Sequence, residues 1–505
     1  MRFLRHLLLA STAGLLLAGA AQAADLPTKK TPPAPPATSC FASFYDYMNS
    51  TAADCPLSYK GITLYATIDV GVGYMSHGEG FNREFPTGPE YLVSKNEQGA
   101  YSGLAPNALS QSNVGIKIKE EFTPGWSLVG DVNTGFDPYT LQLANGPGPM
   151  LQNNENILPL QNSNGDSSRA AQWDNTRGYL GVSNATFGTL TAGRLYSLQN
   201  DSLAIYDPMG GSYAFSPIGY SGAYVGTGQT EDARFNTAAK YAVTIGQFRA
   251  MGIYQFGGYG QGNASDGAYQ AQVGGTFGGL SVDAIYSYVK DAVNLANFPS
   301  ITGGNYTIAT GANIGTLKAT LSDDSSVTLL AKYTMGPAQF FGGYEYIRFA
   351  NPSDSYANNA KANGFTALDD IPVLAANVTL NTYIDNKILQ IMWTGAKYSV
   401  LSNLDITGAY YHYNQNNFYS GASATACVKG TQANTGSPLS ATGTQTINSA
   451  CAGTLDAVSA LIDWRPLKRL DVYAGLMYSQ VNGGLSAGYL HTNNIDPTVG
   501  LRLSF

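Results

Sequence analysis

Apolar and polar residues alternate along many short stretches of the chain. Between Ile62 and Tyr74 every second residue is apolar, and the residues between them are Thr, Tyr, Asp or Gly. A period of two is that of a β-strand with one apolar and one polar face. About a dozen residues in this conformation cross a bilayer when the strand is tilted. The pattern therefore predicts a membrane-spanning strand.

The same alternation recurs along the chain and predicts sixteen strands. The first begins at residue 61, and the others are 112–122, 126–136, 176–184, 187–196, 233–244, 247–257, 267–277, 279–290, 326–335, 338–349, 386–398, 402–413, 455–464, 470–481 and 497–505. The side chains of 386–398 can be assigned to either face. Strands of this length with such unequal connections are not typical of a soluble β-sandwich or of a repeat protein, which are the alternatives.

The connections between these strands indicate the architecture. Short links such as 123–125 and 184–186 alternate with mostly long ones such as 138–175 and 414–454. Short turns on one side and long loops on the other are typical of outer-membrane barrels. An open sheet in lipid would leave edge amides unpaired, so the ends should close. We expect an all-β fold, a 16-stranded antiparallel transmembrane β-barrel with short periplasmic turns and long extracellular loops, over residues 61–505.

The composition agrees with strands that have one lipid face and one wet face. Charged residues make up 12% of the chain, against about 25% in soluble proteins. The chain has 58 Gly and 34 Tyr, and its net charge is −7, with basic residues scattered singly. This distribution lacks the basic patch of a nucleic-acid-binding protein.

The N-terminus resembles an export signal. Two arginines precede an apolar run from Leu7 to Ala20, and Ala-Gln-Ala at 21–23 fits a cleavage site. An uncleaved anchor would need about 20 apolar residues, and this run is shorter and interrupted. We expect residues 1–23 to be a cleaved signal peptide and the mature chain to reach the outer membrane of a Gram-negative bacterium.

A Pro-rich prefix, residues 24–60, precedes the barrel. Its prolines at 27–37 favour an extended periplasmic spacer over a ligand for a partner. Four Cys in an exported chain suggest two disulfides among Cys40, Cys55, Cys427 and Cys451. Three pairings are possible, and pairing of nearest neighbours is favoured because each pair lies inside one polar segment. Neither spacing is typical of zinc ligands.

Charged residues on the polar faces of the strands predict a wet interior. They include Lys117, Lys119, Lys240, Arg249 and Glu345. Burying each in a dry core would cost on the order of several kcal/mol. A barrel of sixteen strands is wide enough to hold an aqueous channel. Aromatic residues near the strand ends fit interfacial girdles.

Residues 175–201 carry the clearest family resemblance. An Arg-bearing strand from Asn175 is followed by a short turn with Phe187-Gly188, by Gly193-Arg194 and by a long Gly-rich segment. This order resembles the fourth and fifth strands of Gram-negative outer-membrane general porins, of the alphaproteobacterial type. The last strand, which ends in Phe505, looks like the signal that barrel proteins present to the barrel-assembly machinery.

The resemblance implies a passive channel with a constriction loop. In general porins the third loop folds inward and sets acidic residues against arginines of the barrel wall. By resemblance the loop is 197–232 with Asp201 and Asp207, and the opposing residues are Arg177, Arg194 and Arg234. Transverse charge across a narrow waist separates ion paths, so permeability depends on size and sign. Arg194 shares parity with apolar residues and needs a bulge or a rim position to reach water.

Two departures from the family pattern affect the expected waist. Asn113 stands where family members commonly carry Arg, and Asp207-Pro208-Met209 replaces the usual Pro-Glu-Phe of the loop. The resemblance therefore leaves the width and the ion preference of the waist open.

The chain lacks the motifs of known enzyme classes. There is no nucleophile elbow, phosphate loop or dinucleotide fingerprint, and the His residues have no ligand partners at metal spacing. Of possible hydrolase residues, only His412 would be worth a test. We expect no enzyme activity, no cofactor and no metal, and a porin for ions and small hydrophilic solutes. The resemblance implies a homotrimer in contact with outer-membrane lipid and lipopolysaccharide. A substrate-selective channel and a surface adhesin or structural barrel are the alternatives.

Overall fold

The computed structural model describes residues 40–78, 91–93, 99–139, 141, 176–218, 234–256, 268–295, 318–350, 379–380, 385–418, 451–486 and 491–505. The helices include α1 (Phe44–Met48) and α2 (Leu198–Tyr206). The strands are β1 (Leu57–Tyr59), β2 (Ile62–Met75), β3 (Tyr101–Leu104), β4 (Asn113–Thr123), β5 (Trp126–Gly135), β6 (Arg177–Asn184), β7 (Gly188–Tyr196), β8 (Arg234–Ile245), β9 (Phe248–Gln255), β10 (Tyr269–Phe277), β11 (Leu280–Leu295), β12 (Lys318–Met335), β13 (Ala338–Ala350), β14 (Thr379–Leu380), β15 (Lys387–Leu401), β16 (Leu404–Gln415), β17 (Gly453–Leu467), β18 (Leu470–Gly483), β19 (Asn493–Ile495) and β20 (Thr498–Ser504). Across these ranges no helix is both long and apolar enough to span a membrane.

Sixteen strands close into one barrel. They are β2, β4–β13, β15–β18 and β20, and each pairs antiparallel with the next. The ring is closed by β20, which pairs with β2 from Thr67↔Ser504 to Gly73↔Thr498. The expected 16-stranded antiparallel barrel is confirmed. Closure removes the unpaired edges that lipid could not satisfy.

The short strands and two extensions were not predicted. β1 and β3 pair with β2, β19 pairs with β18, and β14 pairs parallel with the start of β12. β11 and β12 extend well beyond 279–290 and 326–335, and they pair past a bulge between Val289 and Ala292. Ser322 to Ser326 are polar on both faces, so this part of β12 has no apolar alternation to detect.

The two faces of the barrel reverse the usual order of a soluble protein. Large apolar side chains such as Val72, Leu180 and Val273 are 52%, 51% and 62% exposed on the outside. Inside, polar residues such as Asp69 and Ser287 are fully buried. This is the expected arrangement when the outer solvent is lipid and the interior is polar. The sequence left the orientation of β15 open. Trp393 on this strand is 5% exposed, so its side chain faces the inside of the barrel.

Tight turns join the strands at one end of the barrel. Gly278 and Gly336 adopt φ of +61° and +56° between β10 and β11 and between β12 and β13. Only Gly takes this backbone conformation at no steric cost, which is why these short links contain it. The strand ends that the longer connections join lie at the other end of the barrel.

The Cys40–Cys55 disulfide is formed, with a Cα–Cα distance of 6.1 Å. The expected nearest-neighbour pairing is therefore confirmed for this pair. Cys451 is also disulfide-bonded, and Cys427 lies outside the described residues. The leader 1–23 and the Pro-rich residues 27–37 lie outside them as well.

Candidate pore constriction

After β7 the chain turns into the barrel, and α2 lies against the inner wall. The amide of Leu198 donates to Gln270 Oε1 on β10 at 2.6 Å. Gln199 Nε2 donates to Ser326 Oγ on β12 at 3.4 Å. Gln270 thus satisfies the first backbone amide of the helix, which has no partner within the helix, and Ser326 holds the Gln199 side chain. The start of α2 is thereby fixed on neighbouring strands.

The end of α2 is held by an ion pair and an indole. Tyr206 donates its hydroxyl hydrogen to Asp283 Oδ2 at 2.6 Å, and Arg249 Nη2 contacts the same carboxylate oxygen at 2.7 Å. Trp393 Nε1 donates to the carbonyl of Tyr206 at 3.1 Å. A Cβ at Gly343 would lie 2.0 Å from the Trp393 ring, so the indole occupies the space that this glycine leaves open.

Asp207 anchors the loop from within. Its carboxylate is 2% exposed and accepts from Tyr411 Oη at 2.6 Å and from the amide of Gly211 at 2.8 Å. Burial raises the pKa of this carboxyl above its ordinary value. The sequence resemblance placed Asp207 against wall arginines, whereas its side chain contacts β16 and the loop itself. A group so buried contributes little charge to water in the lumen.

The second half of the loop reaches the segment before β4. The amide of Ala214 and the hydroxyl of Ser212 both donate to the carbonyl of Ala108 at 2.9 Å. Phe215 packs edge-on against Tyr473 of β18, with ring centroids 6.3 Å apart. The loop therefore follows the inner wall from β10 to β18.

Asp69 on β2 fixes the segment that receives the loop. It is fully buried, and its Oδ2 accepts from the amides of Leu109 and Ser110 at 2.8 and 2.7 Å. Sequence alternation placed Asp69 on the polar face but gave it no role. Trp393 and Tyr411 were missed in the same way, since their contacts are with residues far along the chain.

The opposite wall, β4–β8, carries cations and tyrosines. Arg177 Nη2 pairs with Asp131 Oδ2 at 2.8 Å, and Tyr65 Oη donates to the other oxygen of Asp131 at 2.6 Å. The guanidinium carbons of Arg177 and Arg234 lie 4.8 and 5.3 Å from the ring centroid of Tyr196. Both distances are within the range of cation–π attraction. The structure thus brings these two predicted arginines together around one aromatic ring.

The remaining predicted residues take several positions. Lys117 Nζ lies 4.4 Å from the Tyr65 ring centroid, and Lys117 and Lys119 are exposed on the inward parity of β4. Asp201 pairs with Lys240 at 2.6 Å, so this loop acid contacts the wall directly. Arg194 lies at a bulge between Gly193 and Leu195 and bonds Asn236, which agrees with the need for a bulge. Glu345 is buried on β13, and Arg249 holds α2.

A model of the Gram-negative porin family matches residues 10–500 of the sequence. The chain belongs to the Gram-negative porin family. Two solved structures with similar folds are the anion-selective porin from Comamonas acidovorans and in-vitro folded OmpT of Vibrio cholerae. The first is 15% identical over 88% of this chain and 99% of that chain, with a TM-score of 0.53. The second is 14% identical over 89% of this chain and 100% of that chain, with a TM-score of 0.51. No curated protein sequence gave a significant match.

Family and fold make this protein an outer-membrane channel for passive diffusion of small solutes. They point to a channel rather than to an enzyme. His412, the candidate hydrolase residue, lies on the outward parity of β16, and its Nδ1 lies 2.8 Å from Asp456 Oδ1. It therefore faces away from the lumen.

Proposed function

We propose that the channel is narrowest between the loop 197–218 and the wall formed by β4–β8, and that ions and small hydrophilic solutes pass there. The observation that carries this proposal is the anchored loop, which is bonded to β10, β11, β15 and β16. A loop fixed at so many points keeps a constant distance from the facing wall. Permeation is then set by size and charge, as expected for a diffusion pore.

The same contacts suggest a preference for anions. Lys117, Arg177, Arg194, Arg234 and Lys240 belong to the β4–β8 wall. Asp131 and Asp201 pair with two of these cations, and Asp207 is buried in its anchor. Positive charge is therefore in excess at this wall. Fixed charge of one sign at a constriction concentrates the opposite ion.

A reversal-potential measurement tests this proposal. Purified protein in a planar bilayer under a salt gradient should show a potential of the sign that anion flow produces. Arg234→Gln should shift the reversal potential toward the sign that cation flow produces. Lys332 lies on β12, outside the proposed waist, and Lys332→Gln should shift the reversal potential less. Equal shifts would refute the assignment of the waist to β4–β8.

Tyrosines on the β4–β8 wall and on the adjacent strand β2 favour a substrate-selective channel as the second candidate. Tyr65 and Tyr196 lie beside cationic groups, and flat organic anions can stack on such surfaces. A selective channel would show a current that saturates with solute concentration or is blocked by the solute. A diffusion pore would show a current that rises in proportion to concentration.

We infer that the assembly is a homotrimer. The trimer form of Vibrio cholerae OmpT has a similar fold, with 15% identity and a TM-score of 0.50. On β4–β7 the outward positions near the long loops are Val114, Val132, Gly178 and Ala192, where an interfacial girdle would need aromatic residues. A Cβ at Gly178 would meet nothing within 4 Å. A neighbouring barrel can cover this smooth surface, and Gly178→Arg should dissociate trimers on native gels, whereas Ala271→Arg on β10 should not.

The proposal also covers export of the chain and its assembly in the outer membrane. Export by a cleaved leader, residues 1–23, and a spacer role for the Pro-rich residues 27–37 are supported by the sequence pattern. The family resemblance supports contact with lipopolysaccharide and recognition of the strand that ends in Phe505 by the barrel-assembly machinery. N-terminal sequencing of protein from outer membranes should begin at Ala24. A mature chain that retains Leu7 to Ala20 would contradict the cleavage.

A further inference from the structure

The last strand is too short to cover its neighbour. With 7 residues, β20 is the shortest of the sixteen barrel strands. It pairs with β2 only from Thr67 to Gly73, and Phe505 exchanges backbone hydrogen bonds with Ala66 at 2.8 and 2.9 Å. The first residues of β2, Ile62–Leu64, extend beyond the end of β20 at the short-turn side. Without another partner their edge groups would be unpaired in the seam.

The prefix supplies that partner. β1 pairs antiparallel with β2 through Leu57↔Leu64, Ser58↔Thr63 and Tyr59↔Ile62. It therefore occupies the edge of β2 next to Phe505, in the position that a longer β20 would take. The strand that completes the seam comes from the segment before the barrel rather than from the end of the chain.

Arg469 connects the prefix to the other side of the seam. This residue lies in the turn between β17 and β18 and is 3% exposed. Its carbonyl accepts from the amide of Ser504 at 2.9 Å, and its own amide donates to the carbonyl of Met48 at 3.3 Å. One turn residue thus holds both the end of the chain and the prefix.

The side chain of Arg469 gathers the prefix around one guanidinium. Its Nε and Nη2 donate to the carbonyls of Tyr47, Thr51 and Cys55 at 3.0, 3.0 and 2.7 Å. Its Cζ also lies 4.1 Å from the Tyr47 ring centroid. Bonds from a charged donor are stronger than neutral ones. These carbonyls converge only while residues 47–55 keep a compact loop.

The Cys40–Cys55 disulfide closes that loop. Cys55 is both a disulfide half and an acceptor for Arg469, and it is 4% exposed. A cross-link of this loop size restricts the open conformations that compete with the compact one. An oxidant reaches the Cys55 thiol more readily before the segment docks than afterwards.

We propose that residues 40–59 substitute for the missing end of β20 and that oxidation of Cys40 and Cys55 is a step in closing the barrel. Two thiols lose two protons and two electrons to the disulfide of an external periplasmic protein, which becomes a dithiol, and one S–S bond forms in the prefix. The closed loop then presents its carbonyls to Arg469, and β1 pairs with β2. The proposal concerns assembly and is independent of ion preference.

Hydrogen exchange of purified full-length protein in detergent tests this proposal. The comparison is between the wild type and Cys40→Ser/Cys55→Ser, with Cys427→Ser/Cys451→Ser as the matched control. Loss of the first pair should speed exchange at residues 62–68 and 498–505 by on the order of 100-fold, the factor expected for a disulfide of this loop size. The amides of β11 and β12, across the barrel, should be unchanged, and the control pair should leave the seam unchanged.

Two further comparisons keep the test decisive if a Ser variant fails to fold. Adding reductant to folded Cys427→Ser/Cys451→Ser protein should give the same local increase at the seam. Arg469→Gln should also speed exchange at the seam. Arg465 forms an ion pair with Asp405 at 2.9 Å, and Arg465→Gln should leave exchange at the seam unchanged. An even increase over all strands, or a seam that exchanges equally with and without the disulfide, would overturn the proposal.

Discussion

The hydroxyl of Tyr411 is the most direct place to test the anchored loop. Tyr411→Phe removes the donor that bonds Asp207 Oδ1 at 2.6 Å and leaves the rest of the side chain in place. Asp207 is 2% exposed, so water cannot replace the lost hydrogen bond. A bond to a buried charged group contributes about 1.5–3 kcal/mol, and two loop amides still bond the carboxylate. We expect the free energy of unfolding to fall by about 2 kcal/mol, roughly a 30-fold change in the equilibrium constant.

Tyr410→Phe on the same strand is the matched control. Its hydroxyl donates to Asp456 Oδ1 at 2.6 Å, but on the outer face, where the Asp456 side chain is 35% exposed. This change should cost less than about 1 kcal/mol, because the Asp456 carboxylate is only partly buried and still contacts His412 Nδ1 at 2.8 Å. The assays are urea unfolding followed by tryptophan fluorescence and single-channel recording. Tyr411→Phe should add current noise as the loop moves, and Tyr410→Phe should not. Equal unfolding energies for the two variants, or a quiet current in Tyr411→Phe, would refute the anchoring role of Asp207.

Further predictions concern the wall, the indole and a buried carboxyl. Arg177→Gln leaves Asp131, 2% exposed, without its ion pair, and should lower the unfolding free energy by about 2 kcal/mol in urea titrations. Gly343→Ala places a methyl group 2.0 Å from the Trp393 ring, so the hydrogen bond from the indole to the Tyr206 carbonyl should break. The free energy of unfolding should fall by about 1–3 kcal/mol in thermal unfolding. Gly342→Ala, whose added Cβ would have its nearest atom at 3.9 Å, should lower it less. Asp496, between β19 and β20, is fully buried, and burial raises its pKa well above the ordinary value. The folded state therefore binds this proton more tightly than the unfolded chain, so the contribution of Asp496 to stability should be largest below about pH 4 and should be lost as pH rises through the folded pKa. Asp496→Asn should remove that slope between pH 4 and 8 in urea unfolding, and an unchanged slope would contradict the assignment.

The barrel was predictable because lipid imposes a local pattern. Each strand must turn apolar side chains outward, so alternation such as that from Ile62 to Tyr74 survives in the sequence. The pattern ends where the lipid ends, which explains the missed extension of β12. It is also absent from β1, whose three residues act through pairing with β2 rather than through burial.

The candidate site was predictable only in part. The family order placed Arg177 and Arg234 on one wall, and strand register brings both beside Tyr196, a contact that the order did not predict. Asp207 could not be placed, since an acid in a loop faces water or an anchor depending on distant residues such as Tyr411. The Arg469 contact joins residues more than 400 positions apart and has no local signal.

Single-channel current from purified protein under a salt gradient tests the central claim most directly. An open porin should give large and steady conductance steps in groups of three, with a reversal potential of the sign for anions. Correctly folded barrels that pass no current would contradict the diffusion channel. A potential of the sign for cations would contradict the excess of positive charge at the β4–β8 wall.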